Sequence, residues 1–189
     1  SPMAVLGPGT GLGVAQLIAT RGGFQPVSTE GGHASIGPCD EAELQLFATL
    51  MRNGQHLCRE ALLSGPGIER IYWALCLNAG SAYHGYTAAE IQAHAVAGSD
   101  ATCRAALEHF CAFLGTAAGD QALCCGAQGG VFIAGGIVPR FTEFLRHSRF
   151  RARFEAKGPM RDYVSAIPVY VITRDNPGML GAARADLEP

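Results

Sequence analysis

With 189 residues, 48% hydrophobic and 16% charged, the chain reads as one large folded domain or one and a half small ones, with a sizeable core. That balance excludes a disordered segment, and a formal net charge of −2 excludes a general pull toward nucleic acid or anionic membrane. No apolar run approaches the ~18 residues of a membrane span, and the N-terminus has no basic-then-apolar signal pattern. The chain opens in strand-like residues, Met3-Ala4-Val5-Leu6, and residues are expected upstream of it. A glycine-dense turn follows, Gly7-Pro8-Gly9-Thr10-Gly11-Leu12-Gly13, then a second strand over Val14 to Ala19. Phe24 to Ser28 forms a third strand after the turn at Arg21-Gly22-Gly23, and Pro26 places it at an edge or bulge. Three consecutive strands on tight turns argue for an antiparallel start and against a dinucleotide-binding unit.

Next, Asp40 and Glu43 form a capping box that opens a helix with Leu44, Phe47 and Met51 on one face, breaking near Asn53-Gly54. A short helical piece carries Glu60. Ser64-Gly65-Pro66-Gly67 turns into a helix bearing Ile68, Ile71, Tyr72 and Leu75, and Asn78 to Tyr86 is a loop. Thr87 and Glu90 form a second capping box. A long alanine-rich helix, apolar nearly all round and therefore buried, runs from Asp100 to about Leu123. Gly130 to Gly136 reads as a fully buried strand ending in a glycine pair. Short helices over Phe141–His147 and Arg149–Ala156, a last strand over Val169–Thr173 and a closing helix over Asn176–Leu187 complete the pattern. The reading is one α/β domain: three strands, a helical block, then strand–helix–strand–helix.

Three stretches point to chemistry. Glycines around Thr10 let backbone N–H groups crowd about an anion, and the threonine adds a hydroxyl. Neither G-x-x-x-x-G-K-[ST] nor G-x-G-x-x-G fits the turn, so it is a hairpin tip; a ligand-free glycine hairpin is the competing reading. Glu30-Gly31-Gly32-His33 places a carboxylate and an imidazole across two glycines, a set that can face a polyol. A β-bulge with solvated side chains is its alternative. Glu60 beside Arg59 reads equally as a surface ion pair, and Gly135-Gly136 as either ligand approach or strand–helix packing. The basic run Arg140, Arg146, Arg149, Arg151, Arg153, Lys157 and Arg161 reads as a solvated helical face or a subunit contact, with nucleic-acid contact the minority reading. Seven scattered cysteines with no C-x-x-C argue for a reducing cytosol without a disulfide framework or zinc site; vicinal Cys124-Cys125 are read as helix-end packing.

Five collinear motifs resemble the bacterial ATP-dependent glucokinase family. They are Gly7–Ala15, Glu30–His33, Ser64–Gly67, Phe132–Arg140 and Asp175–Gly181, in the family's order and spacing across essentially the whole chain. The resemblance implies an actin-like (RNase H-like) α/β lobe: a mixed sheet of three antiparallel strands plus parallel strands, flanked by helices, with a helical insertion. It implies that residues 1–189 are the large C-terminal lobe of a two-lobed sugar kinase whose N-terminal lobe is not in this chain. By the same resemblance Gly9, Thr10 and Gly11 form a phosphate loop; Glu30, His33 and Glu60 bind sugar hydroxyls; Ser64, Gly65, Gly67, Gly135 and Gly136 line the adenosine pocket. Glu30, held by the sheet, is expected to matter more to the sugar than Glu60.

The implied ligands are ATP or ADP with Mg²⁺, and D-glucose, in a cytoplasmic homodimer. No metal of the chain's own, no nucleic acid and no membrane are expected. The related repressor/kinase group carries a cysteine-rich zinc motif after its histidine; Ala34 to Cys39 lacks it. The family's D-x-G-G-T loop and its Asn-Asp pair, whose aspartate is the general base, have no counterpart here, so the chain alone is expected to be inactive. A non-catalytic sugar- or nucleotide-binding module is the alternative of another class. A nuclease on the same kind of lobe would need clustered carboxylates for two metals and ranks last.

Overall fold

The computed structural model describes residues 1–52, 56–174 and 177–183. Strands β1 (Met3–Pro8), β2 (Leu12–Thr20) and β3 (Gly23–Thr29) form an antiparallel meander. Helices α1 (Glu41–Leu50), α2 (Arg59–Leu62), α3 (Gly65–Ala79), α4 (Ala88–Ala97) and α5 (Ala101–Cys125) follow. Then come β4 (Val131–Ile133), α6 (Thr142–His147), α7 (Phe150–Glu155), α8 (Arg161–Ser165), β5 (Val169–Val171) and α9 (Pro177–Ala182). The sheet order is β3-β2-β1-β4-β5, with β4 parallel to both β1 and β5. This is the α/β arrangement the sequence implies: three antiparallel strands extended by parallel ones, with the helical block inserted between β3 and β4.

Side-chain alternation fixes which face meets the helices. Ala4, Leu6 and Val14 are buried, with Leu6 opposite Val14 in the register. β3 is an edge strand, and Pro26 sits opposite Leu17, where its missing N–H faces no further strand. Asp40, Ser64, Thr87 and Asp100 each cap a helix by accepting a backbone N–H, and Gly80, Gly98 and Gly126 end helices in the left-handed region. α5 is buried along most of its length. At Gly115 and Gly119 an added Cβ would overlap the carbonyl oxygens of Phe150 and Phe154, so these glycines set how closely α7 approaches α5.

Several expectations need correction. The buried face of α1 is Glu43, Leu46, Phe47 and Leu50, while Leu44 and Met51 are exposed. Helical phase is ambiguous in so short a segment, and the buried charge at Glu43 hides the true stripe. The reason is Arg153, whose guanidinium pairs with Glu43 and also donates to Thr116 Oγ1 at 2.9 Å. Part of the basic run is therefore paired within the chain, while Arg146, 75% exposed beside Glu143, stays on a solvated face. Arg149 reaches Asp40 at 3.2 Å and Lys157 reaches Asp120 at 2.5 Å, tying the segment around α7 to α1 and α5, while Arg151 pairs with Glu155 at 2.5 Å within α7.

β4 and β5 are shorter than expected, and Phe132 is only half-buried, stacked 5.1 Å from Tyr170. α8 was not foreseen. The break at Asn53-Gly54, the Asp175-Asn176 pair and the end of the closing helix beyond Ala183 lie outside the described residues.

All seven cysteines are free. Burial pushes the thiols of Cys103 and Cys111 up to about 12, which makes them inert packing groups. Cys125 donates its thiol to Gln121 O at 3.1 Å at the end of α5. No described helix is long and apolar enough to cross a membrane.

Candidate functional site

The β1–β2 turn is fastened from three directions. Gly9 N–H donates to Gly11 O at 2.8 Å across the turn, and Gly65 N–H, at the start of α3, donates to Gly9 O at 2.9 Å. Leu12 N–H donates to Glu60 Oε2 at 2.8 Å. Among the described residues the amides of Thr10 and Gly11, and the Thr10 hydroxyl, make no hydrogen bond. These are the donors the turn has left for an anion.

The turn glycines are not there for a left-handed backbone. None of Gly7, Gly9, Gly11 or Gly13 has positive φ. A Cβ on Gly11 would stand 2.5 Å from Glu60 Oε2 and 3.2 Å from its Cδ, whereas one on Gly9 or Gly13 meets nothing within 4 Å. Gly11 makes room for a carboxylate; Gly9 and Gly13 leave open space.

Gly9, Thr10, Gly65 and Gly136 line a common cavity of about 520 Å³, together with Gln92 and Arg140. The N-termini of α3 and α4 both border it, so two helix dipoles add positive potential. Every early amide of α3 is committed, however: Gly65 N–H to Gly9 O and Gly67 N–H to Ser64 Oγ at 3.1 Å, with proline between them. Ser64 is buried as the cap, and a Cβ on Gly67 would lie 2.5 Å from Leu62 O. Both shape the turn and do not line this cavity. Gly135 lines an adjoining cavity of about 600 Å³ that shares Gly136 and Arg140. Its φ is +83°, and a Cβ there would overlap Pro8 O. That glycine is demanded by the close approach of β4's end to β1.

On the other side of the turn, Glu30-Gly31-Gly32-His33 is not a bulge. Gly31–His33 is a single 3₁₀ turn laid over the start of β2, with the missing Cβ of Gly32 directly against Leu12 O. His33 Nε2 lies 3.9 Å from Glu30 Oε2, and both side chains are mostly in water, Glu30 at 92% exposed. Arg59 N–H donates to Ala34 O at 2.9 Å, tying this turn to α2. Glu60 and the Gly31–His33 turn thus both meet Leu12, Glu60 at its N–H and Gly32 at its carbonyl oxygen. Glu60 is not the partner of Arg59, whose guanidinium is 3.5 Å from Asp120.

The site therefore has free backbone donors at the tip of the β1–β2 turn and the exposed Glu30–His33 pair on the turn after β3, with Glu60 in contact with the β1–β2 turn itself. Sequence reasoning missed this contact, since Leu12 and Glu60 are 48 residues apart. It also missed Gln92, whose buried Oε1 lacks a partner, and the α4 N-terminus, although its Thr87–Glu90 box marked that helix start. Among the described residues there is no group of three or more His, Cys, Asp or Glu placed to hold a metal ion.

Residues 1–188 match the family model described as Glucokinase. A glucokinase of Chromobacterium violaceum is 47% identical over 183 residues, covering 97% of this chain and 53% of its own length. The crystal structure of a glucokinase from an Antarctic psychrotroph superposes with a TM-score of 0.89 at 43% identity, covering 97% of this chain and 57% of that one. A glucokinase from Balamuthia mandrillaris, solved in complex with glucose, matches at 26% identity and a TM-score of 0.77 over 92% of this chain and 50% of its own. The chain spans about half the length of the relatives it matches.

Proposed function

The chain belongs to the glucokinase family, and from that premise we propose that it is the larger, C-terminal lobe of a two-lobed kinase that transfers the γ-phosphoryl of ATP to the 6-hydroxyl of D-glucose. Its mixed sheet is the actin-like sheet of that family. The observation that carries the reading is the Glu60–Leu12 hydrogen bond at 2.8 Å, which joins a sugar-binding carboxylate to the phosphate turn. One residue thereby touches both halves of a phosphoryl-transfer site.

In this reading Thr10 and Gly11 offer their amides, and Thr10 its hydroxyl, to phosphate oxygens, while the dipoles of α3 and α4 stabilise the charge. The adenosine extends into the cavity bordered by Gly65, Gly136, Gln92 and Arg140. Glu60 and Glu30 accept hydrogen bonds from sugar hydroxyls, and His33 adds a donor or acceptor. Contrary to the expectation from sequence, the Glu30 side chain is not held by the sheet but 92% exposed, so Glu60→Gln is expected to weaken glucose more than Glu30→Gln. The described residues provide no carboxylate cage for Mg²⁺. The ion would arrive on the nucleotide and neutralise phosphate charge there. The same family reading carries a homodimer, which sedimentation of the chain would test.

The sugar hydroxyl also needs a base, worth about 10²–10⁴-fold. We assign it to the N-terminal portion that the longer relatives carry. A coupled glucose-6-phosphate assay on the 189-residue chain tests this, first alone and then with the N-terminal portion of the Chromobacterium violaceum relative as a separate polypeptide. The expected result is turnover only in the mixture. Turnover by the chain alone would point to a base within it, with His33 the first candidate, and no turnover in either case, with no binding of ADP or glucose, would favour another function.

A further inference from the structure

We propose that Arg59 and Asp120 are positioning residues for Glu60, with Lys157 as a second cation on the shared carboxylate; the inference rests on reading Glu60 as a sugar ligand. α2 is four residues long, and no side chain caps its N-terminus. A single turn does not hold its own geometry in water. Its orientation has to come from other contacts: Leu62 is buried in the core, Arg70 donates to Ala61 O, Ser64 donates to Glu60 O, and Arg59 holds its N-terminal end from both backbone and side chain. The Arg59 N–H donates to Ala34 O at 2.9 Å, directly after His33. Its guanidinium, on a side chain only 10% exposed, lies 3.5 Å from Asp120 Oδ2 on α5.

The other Asp120 oxygen accepts from Lys157 Nζ at 2.5 Å, and the same ammonium donates to Thr116 O at 3.1 Å. Two cations nearly withdrawn from water therefore share one carboxylate, and Arg59 Nε is buried without a partner. A guanidinium so poorly solvated stays in place only while Asp120 opposes it. Without that carboxylate Arg59 turns toward water and its backbone follows. Glu60 begins one Cα further on, about 3.8 Å away. Its Oε2 must meet Leu12 N–H at 2.8 Å, in the space that Gly11 leaves by having no side chain. The clasp of α5 and Lys157 thus sets where the sugar carboxylate points, and through Ala34 it holds the His33 turn in the same frame.

The test uses the full ¹⁵N-labelled chain, with the Leu12 amide as reporter and D-glucose as titrant. In the parent that amide, donating to a carboxylate, is expected downfield and protected from exchange. Asp120→Asn and Arg59→Met should each move it upfield and weaken glucose about tenfold, the loss of one charge-assisted contact. Arg59→Lys, which keeps a cation on Asp120, should restore both.

Asp40→Asn, which removes the remote Arg149 pair, should leave the Leu12 amide where it is. If Arg59→Met does not fold, Asp120→Asn carries the test, since it keeps the shape at a side chain 38% exposed. Glucose affinity unchanged in Glu60→Gln would sink the sugar reading itself. A glucose defect in Glu60→Gln, with Asp120→Asn and Arg59→Met leaving both the Leu12 amide and the affinity unmoved, would overturn the positioning role alone.

Discussion

Replacing Gly11 by alanine, with Gly9→Ala as its companion, separates a glycine needed by a carboxylate from one that leaves space. At Gly11 the new methyl would lie 2.5 Å from Glu60 Oε2. Glu60 is the free end of a side chain, so it swings away and the fold survives. What is lost is its hydrogen bond to Leu12 N–H. A hydrogen bond to a charged group contributes about 1.5–3 kcal/mol, and water recovers part of that at a half-exposed site. Melting should therefore fall by only a few degrees, since about 1 kcal/mol corresponds to roughly 2–4 °C at this size.

If Glu60 holds the sugar as proposed, glucose affinity should drop by about ten- to a hundredfold. ADP should weaken as well, because the turn has lost one of its three fastenings. At Gly9 a methyl meets nothing within 4 Å, so stability should be unchanged, and any loss of ADP affinity reports the ligand's own need for space. Calorimetric titration of both variants with ADP, and NMR titration with glucose, decide the matter. Equal glucose affinities in the two variants would refute the assignment of Gly11 as the seat of Glu60.

Gly135→Val should damage the fold before it affects any ligand: the residue sits at φ +83° and its Cβ overlaps Pro8 O. Loss of soluble protein or a large drop in Tm is the expected outcome, and a folded variant with selectively weakened ADP binding would contradict it. Glu43→Gln leaves Arg153 without its partner at a side chain only 11% exposed, so a cost of about 3–5 kcal/mol and a Tm drop on the order of 10 °C should follow. The double apolar replacement Glu43→Leu/Arg153→Met should recover part of that loss.

His109 is buried against Phe113, with Arg149 Nη2 3.4 Å from its Nδ1. Burial first, and the Arg149 charge second, hold its pKa below the ordinary 6.5, while Glu43 and Asp40 oppose the shift. The unfolded chain therefore binds the proton more readily, so stability is full above pH 6.5 and declines as pH falls from there toward the folded value. Thermal melts across that window should show the decline, and His109→Gln should flatten it.

The sequence by itself determined whatever depends on neighbours along the chain. The hairpin, the edge position of Pro26, four helix starts and the burial of α5 follow from turn chemistry, capping residues and apolar periodicity, which act within a few residues. The motif order likewise pointed to the glucokinase family. Only the tertiary structure decided what depends on residues far apart in sequence. Glu43 reads only as a helix-capping residue until Arg153, 110 residues away, is folded onto it. Arg59 and Glu60 read as a pair until α5 supplies Asp120 and the hairpin supplies Leu12. That Gly11 and Gly135 must also be glycines for packing shows only when Glu60 and Pro8 are brought against them. Burial and charge pairing are properties of the space around a side chain, and that space is enclosed only when distant segments close on it.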